Sequence, residues 1–235
     1  MLRALKTAAL PGLALALVVT GCGSSSKSSN PAADLALAKG SVLTETDAPS
    51  GYTAAPHQSS GDLPEPVKRD FANCIHTDAT ILDVNGQHAD GPDFNDGNDG
   101  SIENSVEIMK TKSITDKEIK AIQQPSVPNC LGKLFDTAIK AEVAKDPQAQ
   151  GATFGAVTVT PLPVPGVGDK SAAFRARVPI SAGGNSAVFY ADTLFVQRGR
   201  AGITLQASKI GEAPDQSLEN QLASKMVNRL GAKAP

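Results

Sequence analysis

The stretch that most limits what this chain can fold into is Ala187-Val188-Phe189-Tyr190-Ala191-Asp192-Thr193-Leu194-Phe195-Val196. Val188, Tyr190, Leu194 and Val196 alternate with Ala187, Phe189, Ala191 and Phe195, so both faces of a strand would be largely apolar. Burying one large apolar side chain is worth about 1.5–3 kcal/mol, and neither face can be left in water cheaply. A strand of this kind belongs inside a sheet that is covered on both sides. Runs at 154–160, 172–180, 187–198 and 202–209 are β-branched or alternating, and Pro, Gly and Asn clusters separate them. Their close spacing predicts an antiparallel meander rather than crossover helices.

The cover must come from helices. Val67, Phe71, Cys74 and Ile75 form one stripe within a helix expected over 63–80. Leu131, Leu134, Phe135, Ala138, Ile139 and Val143 form another over 126–145, and Leu218, Leu222, Met226 and Leu230 a third over 215–230. A shorter helix is expected over 34–39. Thr115-Asp116-Lys117-Glu118 reads as a capping box opening a helix that Pro125 stops. Ile102, Val106 and Ile108 line one face of an early strand, and the Asn-, Asp- and Gly-dense stretch 85–100 before it reads as turns. The expected fold is α+β: a single domain over 34–235, with a central antiparallel sheet flanked by amphipathic helices. Aromatics are scarce (7 Phe, 2 Tyr, no Trp), so the core must be aliphatic.

The N-terminus carries an address. Arg3 and Lys6 precede an uncharged, mostly apolar run over 8–19, too short for a membrane span, which takes about 20 residues. Val19-Thr20-Gly21-Cys22 closes it in the manner of a bacterial lipobox. Residues 1–21 are expected to be a lipoprotein signal peptide, and Cys22 the lipidated (diacylglyceryl, palmitate-bearing) new N-terminus. Residues 22–33 are then a Ser-rich tether with a reach of about 20 Å. The expected location is the outer face of the cell membrane, held by lipid. Without Arg3 and Lys6 the 22 basic residues fall to 20 against 24 acidic, a mild excess that gives no reason for a nucleic-acid partner. With Cys22 assigned to lipid, Cys74 and Cys130 remain as an even pair in an exported chain. They are disulfide candidates, with two buried free thiols as the alternative.

Scattered residues resemble the extracellular sensor domain of actinobacterial PknH-type Ser/Thr kinases, which also occurs in stand-alone lipoproteins. They are Ala48-Pro49-Ser50-Gly51-Tyr52, Cys74, Pro92-Asp93-Phe94, Ser105-Val106-Glu107-Ile108, Asn129-Cys130-Leu131, Gly168-Asp169, the segment from Val196 to Gly199, and Asn228-Arg229-Leu230. The resemblance spans roughly residues 40–231. It implies a central antiparallel sheet flanked by helices, with a cleft for an unidentified ligand. The family pattern has two disulfides, whereas only two cysteines are available here for one. No kinase domain is present, so sensing would be relayed through a separate partner.

Specific chemistry is sparse. Asn95-x-Gly97-x-Asp99-Gly100-x-Ile102 follows the EF-hand loop only in part, since Gly97 stands at position three and Val106 where the bidentate Glu is required. A weak site through Asp93, Asp96 and Asp99 is the most it offers, so neither metal nor cofactor is expected. Gly-x-Ser-x-Gly, His-Glu-x-x-His and Cys-x-x-Cys are absent, and His57, His76 and His88 have no positioned nucleophile in the sequence. Gly166-Val167-Gly168-Asp169-Lys170-Ser171 lacks the phosphate-loop spacing and reads as a turn. Arg175 and Arg177 share one face of a strand, which reads first as a solvated sheet face; as the floor of the cleft that the resemblance implies, the two guanidinia, with Tyr190 and Asp192 on the next strand, would receive an anionic ligand. If Asp192 lies on a covered face it needs a partner, and Arg175 or Arg177 is nearest. The expected function is a non-catalytic, membrane-anchored ligand-binding or sensor module. A carrier of lipid, glycolipid or cell-wall material is the alternative, requiring an apolar cavity of several hundred Å³, and a cell-envelope hydrolase comes last.

Overall fold

A computed structural model describes residues 30–58, 65–78, 86–145, 151–164 and 166–231, with the side chains of 140–145 left aside. The signal peptide, Cys22, most of the tether and the first residues of the helix expected from 63 lie outside them. Five α-helices and nine strands occur among the described residues: α1 (Pro31–Ser41), β1 (Thr53–Ala55), α2 (Glu65–Cys74), β2 (Gln87–Asp90), β3 (Asp93–Asn95), β4 (Ser101–Ile108), α3 (Lys112–Ile122), α4 (Val127–Lys145), β5 (Ala152–Phe154), β6 (Thr158–Leu162), β7 (Lys170–Ala182), β8 (Asn185–Arg198), β9 (Ala201–Ile210) and α5 (Gln216–Leu230).

All nine strands form one antiparallel sheet in the order β1-β3-β4-β9-β8-β7-β5, with β2 pairing the outer edge of β4 and β6 that of β7. The doubly apolar strand is interior, between β7 and β9, and β9 is the middle of the order. Runs 172–180 and 202–209, which flank it as β7 and β9, are interior too. β9 alternates buried and half-buried residues, and β4 closes over its far edge. On one face Leu194, Val196, Ile203, Leu205, Ile102 and Val106 meet α1 and α5, with Leu222, Met226 and Leu230 in the same cluster. On the other, Phe174 and Phe195 meet α2, α3 and α4, while Ile139 of α4 packs on Val178 and Ile180.

Four local expectations are corrected. The run 154–160 is split into β5 and β6, because Pro179 of β7 has no N–H to donate. Pairing stops at Ile180 on one side and resumes at Arg177 on the other, and Gly155 N donates to the Pro179 carbonyl at 2.8 Å. The stretch 85–100 holds strands β2 and β3. Its turn is confined to 96–100, where the Asp96 carboxylate accepts from Asn98 N and Gly100 N at 2.8 and 2.9 Å. The capping box is absent: α3 starts at Lys112, and the Thr115 hydroxyl reaches the Lys112 and Gly199 carbonyls at 2.9 and 3.1 Å. Helix α1 likewise begins early, at Pro31, with the Asn30 side chain capping Ala33 N.

Cys74 and Cys130 are joined, with Cα atoms 5.7 Å apart. The bond ties the end of α2 to α4, over the cluster of Phe71, Ile75, Leu131 and Leu134. Asp47 and Arg229 fasten the opposite layer. Arg229 Nη2 donates to both Asp47 oxygens at 2.9 and 2.7 Å, and Nη1 donates to the Val42 carbonyl.

Candidate functional site

The four residues predicted for an anion site lie on the α5 face of the sheet. Arg175 stands directly across from Asp192, and Arg177 across from Tyr190. Arg175 Nε and Nη2 donate to the two Asp192 oxygens at 2.7 and 2.5 Å, and Nη2 also reaches the Pro214 carbonyl at 3.1 Å. Asp192 is 0 % exposed, so this guanidinium is used inside the fold as a bidentate partner. Beside it, Glu219 in the first turn of α5 is 1 % exposed, with its carboxyl group against that of Asp192. Burial, and then the charge of Asp192, pushes its pKa up to about 8, so it carries a proton at neutral pH. Arg177 is exposed and Tyr190 half-buried beyond the end of this packing.

The opposite face has a different character. Helices α2–α4 cover β7 and β8, and the reach of α3 ends at β9. There β4 presents Glu103, Ser105 and Glu107, cross-paired with Gln206, Thr204 and Gly202 of β9. Alternation makes this side polar, because Ile102, Val106 and Ile108 use the other side for the core. Between this floor and α3 lies a cavity of about 50 Å³, whose polar lining comes from His88, Ser105, Glu107, Thr115, Glu118, Gln197 and Thr204, with Ile119, Ile122 and Phe195 as apolar wall.

Each polar group there is held by a local cause. Glu107 faces His88 across the β2–β4 pair and accepts from Gly86 N at 3.0 Å. A Cβ at residue 86 would stand 2.6 Å from Glu107 Cγ and 2.7 Å from the Ile108 carbonyl, so only glycine fits against this carboxylate. Glu118 sits in the stripe Thr115, Glu118, Ile119, Ile122 that α3 turns to the sheet. It is 7 % exposed, and its Oε1 has no hydrogen-bond partner. Burial, reinforced by the negative Glu107, raises its pKa to about 9. Gln197 is 2 % exposed. Its Nε2 donates to Asp116 Oδ1 at 3.0 Å and to the Gly199 carbonyl at 3.3 Å, which fixes the amide and leaves Oε1 without a partner.

At the rim His88 Nε2 bonds Asp90 Oδ1 at 2.8 Å, and this bond outweighs burial and raises the imidazole pKa. Further along, His57 Nδ1 bonds Asp93 Oδ1 at 2.7 Å. Burial opposes its protonation, but Asp93 prevails and the pKa rises. Glu103 is raised by burial and then by Asp93. The strip leading from the cavity is thus rich in carboxyl groups, with two carboxylate-held imidazoles. Asp93 and Asp96, considered for calcium, are engaged with His57 and with the 96–100 turn.

The cavity has room for a head group and a water or two, against about 300 Å³ or more for a whole drug-sized ligand. The apolar cavity between α4 and the sheet, lined by Leu131, Phe135, Phe174 and Phe195, is about 10 Å³ and has no room for an acyl chain.

Glu107, Glu118 and Gln197 were not singled out as site residues from sequence, and His88 was weighed there only for catalysis. One signal was present: Glu118 falls on the apolar stripe of its own helix, where a solvated carboxylate does not belong. The capping-box pattern obscured it.

No family model matches this sequence, and no curated protein does. Among solved structures, the chain is similar to the extracellular domain of PknH from Mycobacterium tuberculosis, with 8 % identity and a TM-score of 0.44, covering 87 % of this chain and 97 % of that one. At this identity and score the likeness bears on neither ligand nor mechanism.

Proposed function

We propose that this chain is an extracytoplasmic, lipid-anchored module whose domain binds a small ligand head group under α3 and catalyses no reaction. The observation that carries the reading is the cavity itself, where Glu118 Oε1 and Gln197 Oε1 are buried beside it without partners. An unsatisfied buried acceptor costs about 1–3 kcal/mol, so a site that keeps two invites a donor. The lipid anchor rests on Val19-Thr20-Gly21-Cys22, and export on the joined Cys74 and Cys130. No helix among the described residues is long and apolar enough to cross a membrane. Any signal would pass to a separate partner chain.

Native mass spectrometry of protein isolated from its own host tests the binding reading. We expect a retained small mass that is lost in the double variant Glu118→Leu, Gln197→Leu, which fills the cavity with apolar side chains. An absent mass, or one retained equally by the variant, rejects the reading.

A further inference from the structure

We infer that the cavity under α3 takes a primary ammonium group, held by Glu118, Gln197 and Glu107. The inference rests on the binding reading above and names its ligand class. The Thr115 hydroxyl is engaged with backbone carbonyls, and Gln197 Nε2 with Asp116 and Gly199. Gly86 N is already given to Glu107. What the cavity then offers is the single O–H of the protonated Glu118 against a larger acceptor capacity, since Oε1 of Glu118 and Oε1 of Gln197 have no partner and each sits on a residue more than nine-tenths buried.

Positive charge is short as well. Lys112 and Lys170 are both held by Asp116 at 2.8 Å each, and Asp116 also accepts from Gln197 Nε2. Of the elements around Glu118, β4 brings Glu107 and β2 brings His88, which Asp90 holds at the rim; β8 and β9 bring only neutral Gln197 and Thr204. An ammonium supplies three N–H donors on a compact centre, which suits a cavity of about 50 Å³ and several acceptors. A carboxylate or phosphate would meet like charge, and an alcohol would leave the second acceptor unpaired. Among the described residues no three carboxylate, imidazole or thiol groups are placed to hold a metal ion, which points to an organic cation.

Binding carries a proton balance. Glu118 holds a proton when the cavity has no cation in it. An entering ammonium favours the carboxylate, so R–NH₃⁺ and the protonated acid give an ammonium–carboxylate pair and release one proton to solvent. Apparent affinity therefore rises with pH until Glu118 is ionised in the free protein, by close to tenfold per pH unit for one proton released. Loss of charge from His88 acts in the same direction.

Calorimetric titration of the intact domain with n-propylammonium, in two amine-free buffers of different ionisation enthalpy, tests this. Saturable binding is expected, tightening about fiftyfold or more from pH 6 to pH 8, with a buffer-dependent heat matching about one proton released. In Glu118→Gln, which keeps the shape but cannot ionise, binding at pH 8 should be weaker and its change over the same range should fall below about threefold. Equal binding of 1-propanol, a pH-flat wild type, or no saturation by about 10 mM overturns the inference. If n-propylammonium fails while a retained mass sensitive to Glu118→Leu, Gln197→Leu persists, only the ammonium assignment falls. If no such mass exists, the binding reading falls with it.

Discussion

Glu118 is the residue at which stability and binding oppose each other. Its folded pKa of about 9 lies far above the ordinary carboxyl value of 4.5. Between those values the folded state holds a proton that the unfolded state has released, so stability falls as pH rises through that window. Glu219, raised to about 8, adds to the same slope. Replacing Glu118 with Gln removes its share. Urea unfolding should show Glu118→Gln equal to wild type near pH 5 and more stable by roughly 2–4 kcal/mol near pH 8. Equal midpoints at pH 8 would show that this carboxyl is solvated. The histidines act over a lower range: their raised pKa values stabilise the fold below about pH 6.5, and that contribution is lost as pH climbs through the folded values.

Among the elements, α2 is attached most locally. Its Phe71 and Ala72, with Ile75 just past its end, join the α3–α4 side of the core, and its one covalent tie is Cys74 to Cys130, closing a separation of 56 residues. Chain entropy for such a loop gives about 4 kcal/mol. The double variant Cys74→Ala, Cys130→Ala should lose up to that amount. Hydrogen exchange should show α2 opening before the strands, because the sheet is held by its own ladders. Uniform loss of protection across helix and sheet would show instead that α2 is part of the central cooperative unit. Helix α3 is positioned differently, by Thr115 on the β8–β9 turn and by Asp116 on Gln197 and Lys170, and those bonds set the roof of the cavity.

At the scale of the whole molecule, the sheet separates two kinds of chemistry. The α1–α5 face is largely apolar, its buried carboxylates held by arginines in the pairs Arg175–Asp192, Arg200–Asp34 and Arg229–Asp47, while the β4–β9 half of the other face is polar and carboxyl-rich. The proposed lipid anchor would hang this body from the membrane by about ten residues. Replacing Cys22 with Ser should release the domain from membranes or leave an uncut precursor, as read by detergent-phase partitioning. Unchanged partitioning would refute the anchor.

Sequence alone determined the features that depend on periodicity and local chemistry. The two-faced strand 187–198, the helices after Pro125 and Asp215, the antiparallel meander and the α+β class all follow from which side chains must leave water, and burial of alternating residues needs no knowledge of partners. The cysteine pair followed from parity and compartment, and the pairing of Asp192 with an arginine from the cost of burying a lone carboxylate. Tertiary structure decided what depends on register and on which helix covers which strand. Pro179 divided a run that composition read as continuous, and the turn-rich 85–100 segment became strands because β4 offered an open edge. The cavity was decided in the same way. Glu107 and Gln197 alternate on their strands as solvated residues would, and only the placement of α3 above them, fixed by Thr115 against Gly199, takes their side of the sheet out of water.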